Sequence, residues 1–427
     1  MDLQQARLQA NTSDALRKAS VATEDLQRFL ALLWTYEHKK GIQLFDELAK
    51  DPSTAAPILN ELLLLGSNHD DPQLHTPHGL LTVHAARNLL VLTRPPGGLG
   101  LLRFLVLYNF SLRKRPLTPA QAEANARVTP SGSLARMQAA YHDAIHARNG
   151  DRGAAILTRC AIDLGLDAAA HLAVRTALDD LGRLGHNLAL AAAYVDTAFV
   201  LTLPRGLVAL ANLAHLQANA LQGVSPADIP EREASGGGPT GVEHLEALVE
   251  AGDFDEVEPV LEAFCMHGRA EVAYGPLLIA ASADPGFLGH TLSLIHAARL
   301  ASRHLTPSES AWLLWKLYRT AVSRFGYPQF LELGEPETTD REAILSALES
   351  SLRHKSPPAE STVRQALEAG IPLEEILARV VDFYGQWTVG EKEHTISYLS
   401  AALHTAKFLG AKRALLPLAI ALSKLPF

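Results

Sequence analysis

The chain has 427 residues, a length that allows two to four domains, and 48% of them are apolar, so large cores can be buried. A net charge of −8 spread along the chain argues against a nucleic-acid or anionic-membrane surface, either of which needs a basic stripe. The two cysteines, Cys160 and Cys265, show no CxxC spacing, and Cys265-Met266-His267 has no Cys-x-x-His to accompany it, so neither a disulfide framework nor an iron–sulfur site is indicated.

Leu and Ala dominate, aromatic residues make up only 6%, and few runs show strand-like alternation, which together predict an all-α protein. The polar start, with no apolar signal core before Glu24, predicts a cytoplasmic location. A first unit, about 24–112, reads as helices over 26–39, 42–49, 55–65, 72–92 and 98–112. Asp51-Pro52 and Asp71-Pro72 supply N-cap and first-turn proline, and Pro95-Pro96-Gly97-Gly98 ends the fourth helix. A spacer over 113–133 follows. The second unit, about 134–222, reads as helices over 134–148, 154–164, 168–181, 186–201 and 207–221. A Gly/Pro/Ser-rich run, 223–241, is predicted to be a flexible linker, because it buries too little to recover its ordering entropy. The third unit, about 242–325, has helices over 242–251, 257–265, 270–282, 285–304 and 308–324; the fourth, about 340–427, over 341–354, 361–369, 373–387, 391–409 and 411–425. The expected architecture is four pseudo-repeats of about five helices each, arranged as two duplicated helical domains, 1–222 and 242–427.

The repeat is carried by histidines. Gly289-His290-Thr-Leu-Ser-Leu-Ile-His296-Ala-Ala-Arg299 has a near-copy in His78-Gly-Leu-Leu-Thr-Val-His84-Ala-Ala-Arg87. Weaker echoes begin at Gly185-His186 and Glu393-His394. The intervals from His78 to His186, His186 to His290 and His290 to His394 are 108, 104 and 104 residues. His290 and His296 lie roughly 120° apart around a helix, so one helix cannot clamp a metal with that pair. Helices from different units must meet if the leading histidines His78, His186, His290 and His394 are to act as ligands. Neutral imidazole suits iron, zinc or copper, and a haem takes one or two. His84 and His296 are the next candidates, for cofactor binding. Duplication also explains the register without any chemistry, since a packing residue is copied with its unit.

The helix from His186 is apolar nearly all round and carries Asp196 as its sole fixed charge. An Asp there is either paired or functional, or sits on a solvent-facing edge. A membrane span is disfavoured by the short run, Asp196 and the lack of one-sided basic flanks. Asp196 and Tyr398 are the candidates for proton transfer. His142 and His146 have i,i+4 spacing, but the apolar stripe of Leu134, Met137, Tyr141 and Ile145 assigns them to a solvated edge. No phosphate-cradling glycine loop follows a strand, and no GxSxG elbow occurs.

The run His394-Thr-Ile-Ser-Tyr398-Leu-Ser-Ala-Ala-Leu-His404, with His290-Thr291 and the Gly-His pairs, resembles the histidine-bearing helices of an all-helical region in bacterial Rieske-domain-containing proteins. It is also similar to the questin oxidase-like family. The resemblance covers mainly the fourth helices and implies an oxidoreductase-associated helical domain; the family is linked to oxygen insertion into polycyclic aromatic ketones. Cys265-Met266-His267 stands without the Cys-x-x-His pair that a Rieske cluster also requires, so no such cluster carries over.

Two functions are therefore expected from the sequence. One is an oxidoreductase binding a transition metal, iron foremost, or haem, and acting on an apolar organic molecule in a histidine-lined interhelical pocket, with a homodimer as the assembly to test. The other is a non-enzymatic helical-repeat binding or scaffold protein whose histidines are structural.

Overall fold

The computed structural model describes residues 24–68, 78–93, 98–113, 117–129, 131–182, 185–221, 223–231, 241–322, 333–336, 338–354, 358–387 and 392–424. Among them every regular element is a helix and no strand occurs. In chain order these are α1 (Glu24–Leu33), α2 (His38–Leu48), α3 (Ala55–Ser67), α4 (His78–Leu90), α5 (Leu99–Ser111), α6 (Pro119–Arg127), α7 (Leu134–His146), α8 (Gly150–Asp163), α9 (Leu166–Ala177), α10 (His186–Leu201) and α11 (Gly206–Ala220). They continue with α12 (Val242–Ala251), α13 (Phe254–Met266), α14 (Ala270–Ala283), α15 (His290–Ala301), α16 (Pro307–Leu317), α17 (Arg341–His354), α18 (Ala359–Glu368), α19 (Leu373–Trp387), α20 (Lys392–Leu409) and α21 (Ala411–Lys424).

The chain divides into two compact units. The first comprises residues 1–172, 193–222 and 384–388; the second comprises 173–192, 223–383 and 389–427. The sequence places the division at 223–241, yet residues 173–192 belong with the C-terminal unit. Within the expected linker, Ala227 donates its N–H to Asp179 Oδ1 at 2.8 Å and its carbonyl accepts from Arg175 Nη2 at 3.1 Å. The glycine-rich remainder, 232–240, lies outside the described residues. Within the spacer expected over 113–133, α6 forms because Thr118 and Gln121 make a reciprocal capping box ahead of Pro119. The helix expected over 26–39 breaks after Leu33, and the chain restarts at His38.

Each unit closes its core by ordinary amphipathic packing. In the first, Leu26, Phe29 and Leu33 line one face of α1, and α8 packs along α11. In the second, α20 packs along α21, α13 along α16, and α15 against both α14 and α20. The same capping-box chemistry starts α16, with Thr306 and Glu309 exchanging hydrogen bonds. Among the described residues, no helix is long and apolar enough to cross a membrane.

Candidate functional site

The second unit brings three of the four leading histidines together. His186 opens α10, His290 opens α15 and His394 lies in the first turn of α20. His186 Nε2 and His290 Nε2 are 3.3 Å apart, with ring centroids 4.9 Å apart and the planes at 71°. His394 also lies against His290, with ring centroids 5.1 Å apart. All three are half-buried.

Backbone conformation sets these rings. Gly185 and Gly289, just before the histidines, have φ values of 76° and 78°, a left-handed geometry that glycine adopts without strain. Each glycine also receives a side chain from the next histidine-bearing helix: a Cβ on Gly185 would lie 2.4 Å from Leu294 Cδ1, and one on Gly289 would lie 2.3 Å from Tyr398 Cδ2. The positions 294 and 398 differ by 104, as do 186 and 290, and 290 and 394. The glycine contact and the ring contact between α10 and α15 thus recur between α15 and α20 at the same offset.

Two rings bonded to one tetrahedral ion through nitrogens at about 2.05 Å set those nitrogens about 3.3 Å apart. The His186–His290 pair already has that separation. The same distance fits a hydrogen bond in which one neutral imidazole donates and the other accepts. A third nitrogen is not in place: among the described residues, the three rings do not bring three ring nitrogens within 4.8 Å of one another. The positive ends of the helix dipoles oppose a cation here by about 0.3–1 kcal/mol each. That is small beside the roughly 10 kcal/mol or more that a bound structural zinc supplies.

His78 is not part of this group. It lies in the first unit as the opening residue of α4, half-buried. His84, one and a half turns on, makes a different contact: its Nε2 donates to Asp196 Oδ2 at 3.0 Å, and Arg87 Nη1 donates to the same oxygen at 3.0 Å. The three side chains are 9%, 16% and 11% exposed for His84, Asp196 and Arg87, so the solvent-facing alternative for Asp196 is ruled out. A carboxylate that holds Nε2 fixes the ring, the arrangement that orients a metal-bound imidazole. Tyr194, on the same helix, is fully buried.

In the second unit His296 is 8% exposed and its ring lies 5.6 Å from that of His404, centroid to centroid. Arg299, one turn further, pairs with Glu271 and lies over the Phe408 ring at 4.5 Å. Burial raises the Tyr398 phenol well above its ordinary value, which keeps it protonated. Its ring serves to pack against Gly289.

Sequence reasoning gave no role to Arg87, Arg299 or Glu271. The two arginines hold matching places in the repeated motif, three residues after His84 and His296, and this was the available signal. Glu271 had none, because it pairs across 28 residues. Comparison with known proteins returns no matching family model, no matching curated protein and no matching solved structure.

Proposed function

We propose that the C-terminal unit binds a transition-metal ion through His186 and His290, and that the chain is a non-haem metal-dependent oxidoreductase acting on an apolar organic molecule. The observation that carries this reading is the 3.3 Å approach of two Nε2 atoms from helices far apart in sequence. His394 abuts His290, so a modest ring rotation would offer a third ligand. A haem suits the pair poorly, because a porphyrin iron between two axial imidazoles holds their nitrogens about 4 Å apart. Iron or copper would supply the redox chemistry. The chain's own part is to hold the imidazoles at helix starts fixed by Gly185 and Gly289, and to exclude water with the buried Tyr398 and Leu292.

A second reading is favoured by the contact copied at an interval of 104 residues. A duplicated packing module gives three stacked histidines without any ligand, and the protein is then a helical-repeat scaffold. Metal analysis separates the two. Protein purified without a histidine tag and reconstituted with iron, copper or zinc should retain about one equivalent, and His290→Ala should lose it with the helical content intact. Retention below about a tenth of an equivalent, or no change in His290→Ala, would sink the metal reading in favour of the scaffold.

A further inference from the structure

We infer a separate divalent-metal clamp in the first unit, formed by His142 and His146 on α7. The sequence places these residues on a solvated edge, but in the structure both are half-buried and their rings lie 4.3 Å apart, centroid to centroid, at 41°. Residues four apart sit on one helix face with Cβ atoms about 5–6 Å apart, the spacing by which a single helix supplies two imidazoles to one ion. Ring nitrogens of the two come within 4.8 Å of each other, and a small side-chain rotation takes them to the roughly 3.3 Å that a tetrahedral ion requires.

The helix holds the clamp ready. Met137, Tyr141, Ala144 and Ile145 are buried on its other face, and the Tyr141 hydroxyl donates to Gln217 Oε1 at 2.5 Å, tying α7 to α11. The backbone under the two histidines is therefore fixed before any ion arrives, which reduces the ordering cost of binding. His146 is the last residue of α7, where the dipole is negative and favours a cation. The proposed His186–His290 site lies at helix starts and has the opposite dipole. The ions that fit are the borderline metals preferred by neutral imidazole, zinc, nickel or copper, with water completing the coordination.

The test uses the full-length chain carrying His186→Ala and His290→Ala, so its outcome does not depend on the function proposed above. Zinc is titrated in competition with a chromophoric chelator. One equivalent should bind, and His142→Gln should weaken it more than about tenfold. The combination of His146→Ala with Ala147→His keeps the histidine count but changes the spacing to five residues; it should weaken binding equally while circular dichroism stays unchanged. Zinc affinity that survives the shifted spacing within a factor of about two, or no zinc uptake at micromolar concentrations in the doubly substituted background, would overturn the clamp.

Discussion

The two units solve one problem in different ways. In the first, His84 and Arg87 of α4 share the Asp196 carboxylate of α10; in the second, His296 and Arg299 of α15 occupy the same register but face an imidazole, His404 of α20. Asp196 is ten residues after His186, and His404 is ten residues after His394, so the acid of one unit stands where the other has a histidine. A buried guanidinium needs a counterion, yet the counterion has no fixed address: the second unit takes it from α14, as Glu271. Moving the acid away leaves two imidazoles side by side, His296 and His404.

The largest effect expected from this difference is in the first unit. Asp196→Ala strands a guanidinium that is 11% exposed and removes the partner of His84, so urea unfolding should show a loss of about 3–5 kcal/mol. A loss below about 1 kcal/mol would mean that the cluster is not a paired buried charge. Gly289→Ala comes next. A left-handed backbone and a Cβ 2.3 Å from the Tyr398 ring together cost about 2–4 kcal/mol. Gly185→Ala meets the movable end of Leu294 and should cost less. Equal losses at the two glycines would deny the aromatic ring its part in positioning His290.

The charge relocation itself can be reversed. Glu271→Gln should destabilise by about 1–2 kcal/mol, since Glu271 is 45% exposed and water screens part of the pair. Adding His404→Asp should restore most of that by rebuilding the first unit's arrangement beside His296 and Arg299. If the second change deepens the loss, the two clusters are not equivalent. At neutral pH the thiols, one buried in each unit, add nothing to this balance, and their effect emerges only in alkali. Burial pushes Cys160 from its ordinary value of 9.0 up to about 11 and Cys265 up to about 12. The folded chain then holds these protons where the unfolded chain releases them, so stability falls as pH rises above 9.0, by about 1.4 kcal/mol per pH unit per thiol. The fall from Cys160 should level off near pH 11 and that from Cys265 near pH 12, read by denaturant midpoints of Cys160→Ala and Cys265→Ala.

Much of the architecture follows from local chemistry, and so it is legible in one dimension. Leu and Ala periodicity sets the helices, Asn149-Gly150 and Gly252-Asp253 set matching breaks, and the even histidine spacing marks equivalent helix starts. Thr118 and Gln121 carried a capping signal inside a stretch whose composition reads as a spacer, and there composition misled. The meeting of His186, His290 and His394, the capture of Asp196 by His84 and Arg87, and the choice of Glu271 over position 404 as counterion belong to tertiary structure alone. Helix formation depends on neighbours within about four residues, whereas these contacts join side chains 28 to 112 residues apart. Only packing selects which equivalent positions touch.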